Sequence, residues 1–109
     1  MRPIEPLSES VFLILLSLVP GPKHGYAIIQ DVERLSSRRL RLSTGTLFGA
    51  IKRMLAEDWI TLVASDHAPR GRKTYRLTAA GRIIIQTEYR RLRGLVTVAQ
   101  TQIGERDES

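Results

Sequence analysis

The chain has no cysteine, which rules out both a disulfide framework and a thiolate metal site and suits a reducing cytoplasm. Histidine is nearly as scarce: His24 and His67 stand far apart, with no carboxylate pair or phosphate-binding loop beside them. The groupings that acid–base, metal or phosphoryl chemistry needs are therefore missing, so no enzyme, no metal site and no cofactor is expected. Long apolar runs are missing too. The longest, Val11 to Leu16, is far below the roughly 20 residues that span a bilayer. Arg2, Pro3, Glu5 and Pro6 precede it and no small-residue cleavage site follows, so no signal peptide is expected.

What the chain does have is positive charge. Seventeen basic residues face eleven acidic ones in 109 residues, a net charge of +6, in a length that suits one domain. The cations gather in the middle: Arg38, Arg39 and Arg41, then Lys52 and Arg53, then Arg70, Arg72, Lys73 and Arg76. The acids Glu105, Asp107 and Glu108 collect at the far end. Charge concentrated on one segment is what contact with a polyanion requires, whereas solubility alone would not localise it.

That segment centres on residues 43–57. Ser43 stands where an N-cap belongs, and Leu47, Ile51, Met54 and Leu55 recur at helical spacing to form a core-facing stripe. Thr44, Gly45, Phe48, Gly49 and Lys52 fall on the other side. Two glycines there cost the helix about 0.5–1 kcal/mol each relative to alanine, but they leave a bare surface that another surface can approach closely. Two readings stand: a helix that lies in the major groove of DNA, or a half-buried helix whose glycines touch another part of the same protein.

Ahead of it, Ser8 can cap an apolar helix through Val19, with Phe12, Leu15 and Leu16 among its side chains. A helix apolar all round needs cover on more than one side, either from a subunit interface or from the chain's own core. Pro20-Gly21-Pro22 ends it. Gly25 to Leu35 is the next helix, with Tyr26, Ile28, Ile29 and Val32 as its expected inner face. His24, just before it, reads as a structural or solvated residue. Two helices joined by a brief basic connector, the second with a groove-compatible face, outline a helix-turn-helix.

After Asp58 the period changes to alternation. Trp59–Ala64 and Arg72–Leu77 read as strands around a loop at Ser65–Gly71, a hairpin with a basic tip in the position of a wing. Thr78 caps the last helix. Along it Ile85, Tyr89, Leu92, Val96, Ala99 and Ile103 are spaced as a heptad seam, which needs a partner helix. A homodimer is expected, with a helix folded back on its own domain as the alternative. The expected fold is α+β and mostly helical: a winged helix-turn-helix of three helices and a two-stranded wing over 1–77, then a dimerisation helix over 78–104 in the same compact unit, and a frayed tail over 105–109.

Several stretches together resemble the PadR-like transcriptional regulators: Gly25-Tyr26-Ala27-Ile28, then Leu42 through Arg53, then Gly71 through Thr78, and Ala80-Gly81. The resemblance runs from about Leu7 to Leu95 and implies a winged-helix dimer, usually a repressor, held by its first and last helices. It implies a DNA-facing helix built on Thr44, Gly45, Thr46, Phe48, Gly49 and Lys52, flanked by Ser43 and Arg53, and a wing of Arg70, Arg72 and Lys73. At Phe48 the family usually carries tyrosine, so one hydroxyl that would donate to a phosphate is absent. Some relatives stack flat aromatic drugs on a tryptophan of the last helix. The only tryptophan here is Trp59, ahead of the wing, so a small-molecule effector is admitted but unidentified. The expected partners are thus double-stranded DNA and a second copy of the chain, with no membrane. The rival reading is a winged-helix module that docks proteins.

Overall fold

The computed structural model describes residues 5–63 and 72–104. Its elements run α1 (Glu9–Ser17), β1 (Lys23–His24), α2 (Gly25–Leu35), α3 (Thr44–Ala56), β2 (Ile60–Leu62), β3 (Thr74–Leu77) and α4 (Ala79–Ile103). Each helix starts at a side chain that accepts a first-turn amide: Ser8 Oγ from Val11, His24 Nδ1 from Ala27, Ser43 Oγ from Thr46 and Thr78 Oγ1 from Gly81, at 3.0–3.3 Å. These caps satisfy donors that a helix start otherwise leaves open.

α4 closes on Gly104 at φ 80°, but the ends of α2 and α3 carry no glycine signal, and for that reason the sequence marks them poorly. At the end of α3 the Trp59 amide donates to Met54 O at 2.9 Å and the Asp58 amide to Leu55 O at 3.1 Å, with Asp58 at φ 62°. This is a Schellman closure with aspartate where glycine usually sits. The end of α2 repeats it: Arg38 donates to Glu33 O and Ser37 to Arg34 O, with both donor residues at positive φ.

The wing is larger than the expected hairpin. Lys23 and His24 pair with Tyr75 and Thr74, so the sheet has the antiparallel order β1-β3-β2 rather than two strands. Two residues between a proline turn and a helix leave no alternation to read. The expected loop at Ser65–Gly71, with the tip residue Arg70, lies outside the described residues.

The core is shared by every layer: Ile14, Leu15 and Leu18 of the α1 segment, Ile28 and Val32 of α2, Leu47, Ile51 and Met54 of α3, Ile60, Tyr75 and Leu77 of the sheet, and Ile85 of α4. Three expectations are corrected here. Tyr26 is not on the inner face of α2 but 65% exposed. Gly25, Ile28 and Val32 form the buried i, i+3, i+7 stripe, and Tyr26 lies one position round from it. Leu15, expected at a subunit interface, is fully buried within the chain's own core and offers no surface to a partner. Ile85 likewise belongs to the chain's own core, where α4 packs on α1. The heptad seam therefore divides: its start is intramolecular, while Tyr89, Val96, Ala99 and Ile103 stay exposed, Ile103 at 71%.

Two contacts hold α4. Glu88, only 3% exposed, accepts from Arg91 through both oxygens at 2.7 Å and from the Leu7 amide at 3.1 Å, tying the N-terminal segment to the helix. Thr78 Oγ1 donates to Asp58 O at 2.6 Å while it caps Gly81, and the Thr78 amide donates to Trp59 O at 3.0 Å. Gly81 is obligatory at this joint, since a Cβ there would lie 2.1 Å from Trp59 O.

Gly81→Ala is accordingly expected to cost about 3 kcal/mol, the upper end for overpacking. Asp58→Gly should instead gain about 1 kcal/mol by relieving the left-handed conformation. Urea denaturation of the three proteins checks both signs. The Arg91 and Leu7 hydrogen bonds outweigh burial and hold the Glu88 carboxyl below its usual range. A depressed folded-state value gives stability that is complete above the unfolded carboxylate range, near pH ~4.3, and lost as pH falls through the folded value. Glu88→Gln should therefore flatten the acid limb of a pH–stability curve. An unchanged acid limb in the variant would show that Glu88 is not the group responsible.

Candidate nucleic-acid interface

On α3 the apolar stripe of Leu47, Ile51 and Met54 is buried, which turns the opposite side outward. Ser43, Thr44, Gly45, Thr46, Gly49, Lys52 and Arg53 are all exposed, and Phe48 is 48% exposed. A Cβ added at Gly45 or Gly49 would meet nothing within 4 Å. The reading in which these glycines touch another part of the same protein is thus set aside for the described residues. The bare strip is a free surface. Ser43 and Thr46 are the exception to its openness, because the Ser43 hydroxyl caps the Thr46 amide and donates to Thr46 Oγ1 at 3.0 Å.

Phe48 is held from behind. Gly25 at the start of α2 is buried, and a Cβ there would lie 3.0 Å from the Phe48 ring and 3.3 Å from Leu47. The absence of a side chain at Gly25 lets α3 press onto α2 and sets the ring at the edge of a groove. That groove, about 450 Å³, is also lined by His24, Tyr26, Tyr75, Arg72 and Lys73. Of the expected interface residues it brings together Phe48, Arg72 and Lys73. Of the unexpected ones it adds His24 and Tyr26. His24 carried one readable signal, its place as a cap immediately before the Gly25, Ile28, Val32 stripe. Tyr26 carried none once it was assigned inward.

The positive charge is less free than its position in the chain suggests. Arg39 makes a two-pronged pair with Glu9 at 2.6 and 2.7 Å, which holds the Glu9 carboxyl below its usual value. Arg41 bonds Glu33, and Lys23 lies 2.8 Å from Asp31. These cations brace the scaffold. Arg38, Lys52, Arg53, Arg72 and Lys73 are exposed and make no ion pair among the described residues. Of this unpaired set, Lys52 and Arg53 lie on α3 with the glycine strip, and Arg72 and Lys73 line the groove at Phe48. Its chemistry is donation and positive charge without an acid, which suits a run of phosphates.

Comparison with known proteins places this arrangement. The profile of the Transcriptional regulator PadR-like family matches residues 14–87, from the middle of α1 into α4. A PadR family transcription regulator from Clostridium difficile superposes with a TM-score of 0.68 at 24% identity, over 88% of this chain and 98% of that one. Bacillus subtilis PadR, solved in complex with operator DNA, superposes with a TM-score of 0.61 at 20% identity, over 71% of this chain and 44% of that one. At these identities the likeness concerns the fold. An uncharacterised protein of a Streptomyces fradiae transposon is 35% identical over 81 residues, 74% of this chain, and the chain spans only 22% of that relative's length. A family profile that covers most of the chain makes it a member of the PadR-like family of transcriptional regulators.

Proposed function

We propose that this regulator binds duplex DNA sequence-specifically as a homodimer, acting in the cytoplasm as a repressor on a pseudo-palindromic operator. The observation that carries the reading is the glycine strip of α3, open to solvent and flanked by unpaired cations on α3 and at the base of the wing. A helix with no side chains in the way enters the major groove closely, and its exposed donors reach base edges there. Thr44, Thr46 and Lys52 are the candidates for bases. Ser43, Gly45, Gly49 and Phe48 shape the approach. Arg53, Arg70, Arg72 and Lys73 engage the phosphates. The operator complex of Bacillus subtilis PadR supports the same use of the fold.

The dimer reading rests on the exposed half of α4. Leu95, Val96, Val98 and Ile103 are each more than half exposed, a concentration of apolar surface that monomers seldom leave uncovered. Residues 78–104 are the dimerisation helix in this reading, with Tyr89, Leu92, Val96, Ala99 and Ile103 meeting a second copy and the half-buried Phe12 and Leu16 of α1 beside them. Two α3 helices related by a two-fold axis then enter major grooves about one turn apart, near ~34 Å. Release by a small-molecule effector completes the proposal. One solved neighbour, Bordetella bronchiseptica BpsR, has its DNA binding regulated by 6-hydroxynicotinic acid.

Operator affinity should fall steeply with salt through release of counterions, and Lys52→Ala should weaken it about tenfold or more while leaving the dimer intact. Fluorescence anisotropy against a salt series, with sedimentation on the same samples, checks both. A flat salt response or an undisturbed Lys52→Ala complex would overturn the placement of α3. Gly49→Ala separates stability from function. The free protein should gain about 1 kcal/mol from the better helix former. Duplex binding should weaken, because the new methyl stands on the docking surface. A protein that is more stable and binds equally well would show that this face meets nothing.

A further inference from the structure

The groove between the start of α2, Phe48 and the base of the wing draws its lining from three separate elements. Its walls are the rings of Tyr26, Phe48 and Tyr75, its rim holds Arg72 and Lys73, and no carboxylate lines it. His24 Nδ1 is committed to the Ala27 amide at 3.3 Å, so the neutral ring carries its proton on Nε2 and has one donor left. Tyr26 stands 65% exposed, and its hydroxyl makes no hydrogen bond among the described residues. The lining therefore offers two neutral donors and two cations to one acceptor of negative charge. The groove is open along its length rather than closed around a guest, which fits a chain passing through it better than a small molecule, whose pockets bury most of the ligand. Phe48 and Lys52 lie four residues apart on α3, so the groove adjoins the bare strip.

We infer that this groove seats one phosphodiester of the DNA strand that runs between α3 and the wing. The Tyr26 hydroxyl and His24 Nε2–H donate to its oxygens, and Arg72 and Lys73 balance its charge. The inference rests on the reading of the chain as a duplex-binding protein and adds His24 and Tyr26 as positioning residues. Donors anchored on α2 at one end and cations on the wing at the other hold the phosphate from both sides. Because Gly25 fixes α2 against Phe48, this grip sets how far along the major groove α3 sits. Its loss weakens every duplex alike and carries no sequence information of its own.

The test uses the full chain and a duplex that the protein itself selects from a random pool, remade with a neutral methylphosphonate at each phosphate position in turn, placed at the matching position of both half-sites. One replacement should weaken wild-type binding about tenfold, the scale of a charge-assisted hydrogen bond. Tyr26→Phe, which removes one hydroxyl from an exposed ring, should weaken the unmodified duplex by a similar factor and cause no further loss on that one modified duplex. His24→Ser keeps a capping oxygen for α2 and should behave as Tyr26→Phe does, with an unchanged circular-dichroism spectrum. The slope of log affinity against log salt should stay the same for Tyr26→Phe, which is neutral, and fall by about one for Lys73→Ala. Wild-type affinity in both Tyr26→Phe and His24→Ser, or losses that add to those of every methylphosphonate, would overturn the inference while leaving the regulator reading in place. A wild-type protein that binds no duplex would overturn that reading, and the groove assignment with it.

Discussion

The joint at Thr78 is the contact on which the rest of the architecture depends. One hydroxyl donates to the carbonyl of Asp58, at the end of α3, and accepts from the amide of Gly81, in the first turn of α4. The same residue's amide reaches Trp59 O. The C-terminus of α3, the return of the wing and the start of the long helix are thereby held at one point. Trp59 O lies so close to Gly81 that no other residue fits. The long helix cannot swing without breaking this contact, so the direction of its exposed half is tied to the direction of α3. In a dimer built through that half, the spacing of the two α3 helices would be set here.

A second constraint is the allocation of charge. Glu9, Asp31, Glu33 and Glu88 each hold a cation of the scaffold; the first three pairs join different segments, and the Glu88–Arg91 pair lies within α4. Glu88 goes further, because its burial makes the pair costly to disrupt and its second partner is the backbone of the N-terminal segment. With these acids committed to scaffold pairs, Lys52 and Arg53 on α3 and Arg72 and Lys73 at the base of the wing make no ion pair among the described residues.

Where sequence reasoning failed, a physical reason can be named at each residue. Tyr26 looked internal because it is apolar-bodied and near the right spacing, but the true stripe begins at Gly25, whose role is to be small rather than oily. Asp58 and Ser37 end helices in the left-handed conformation without the glycine that usually announces it. The two residues of β1 are too few to show a period, and pairing with β3 alone makes them a strand. Arg39 and Arg41 looked like part of a binding footprint because their partners, Glu9 and Glu33, lie 30 and 8 residues away.

The sequence by itself determined the helices, the N-caps at Ser8, Ser43 and Thr78, the core-facing stripe of α3, the alternation of the wing strands and the family. All of these are written in local spacing, where neighbours in the chain are neighbours in space. The tertiary structure alone decided three things: which cations remain free, that the glycine strip faces open space, and that His24 and Tyr26 share a groove with the wing. Each depends on residues brought together from different elements, and Gly25 shows why. Its missing side chain matters only because α3 is pressed against it, a contact between residues more than twenty positions apart.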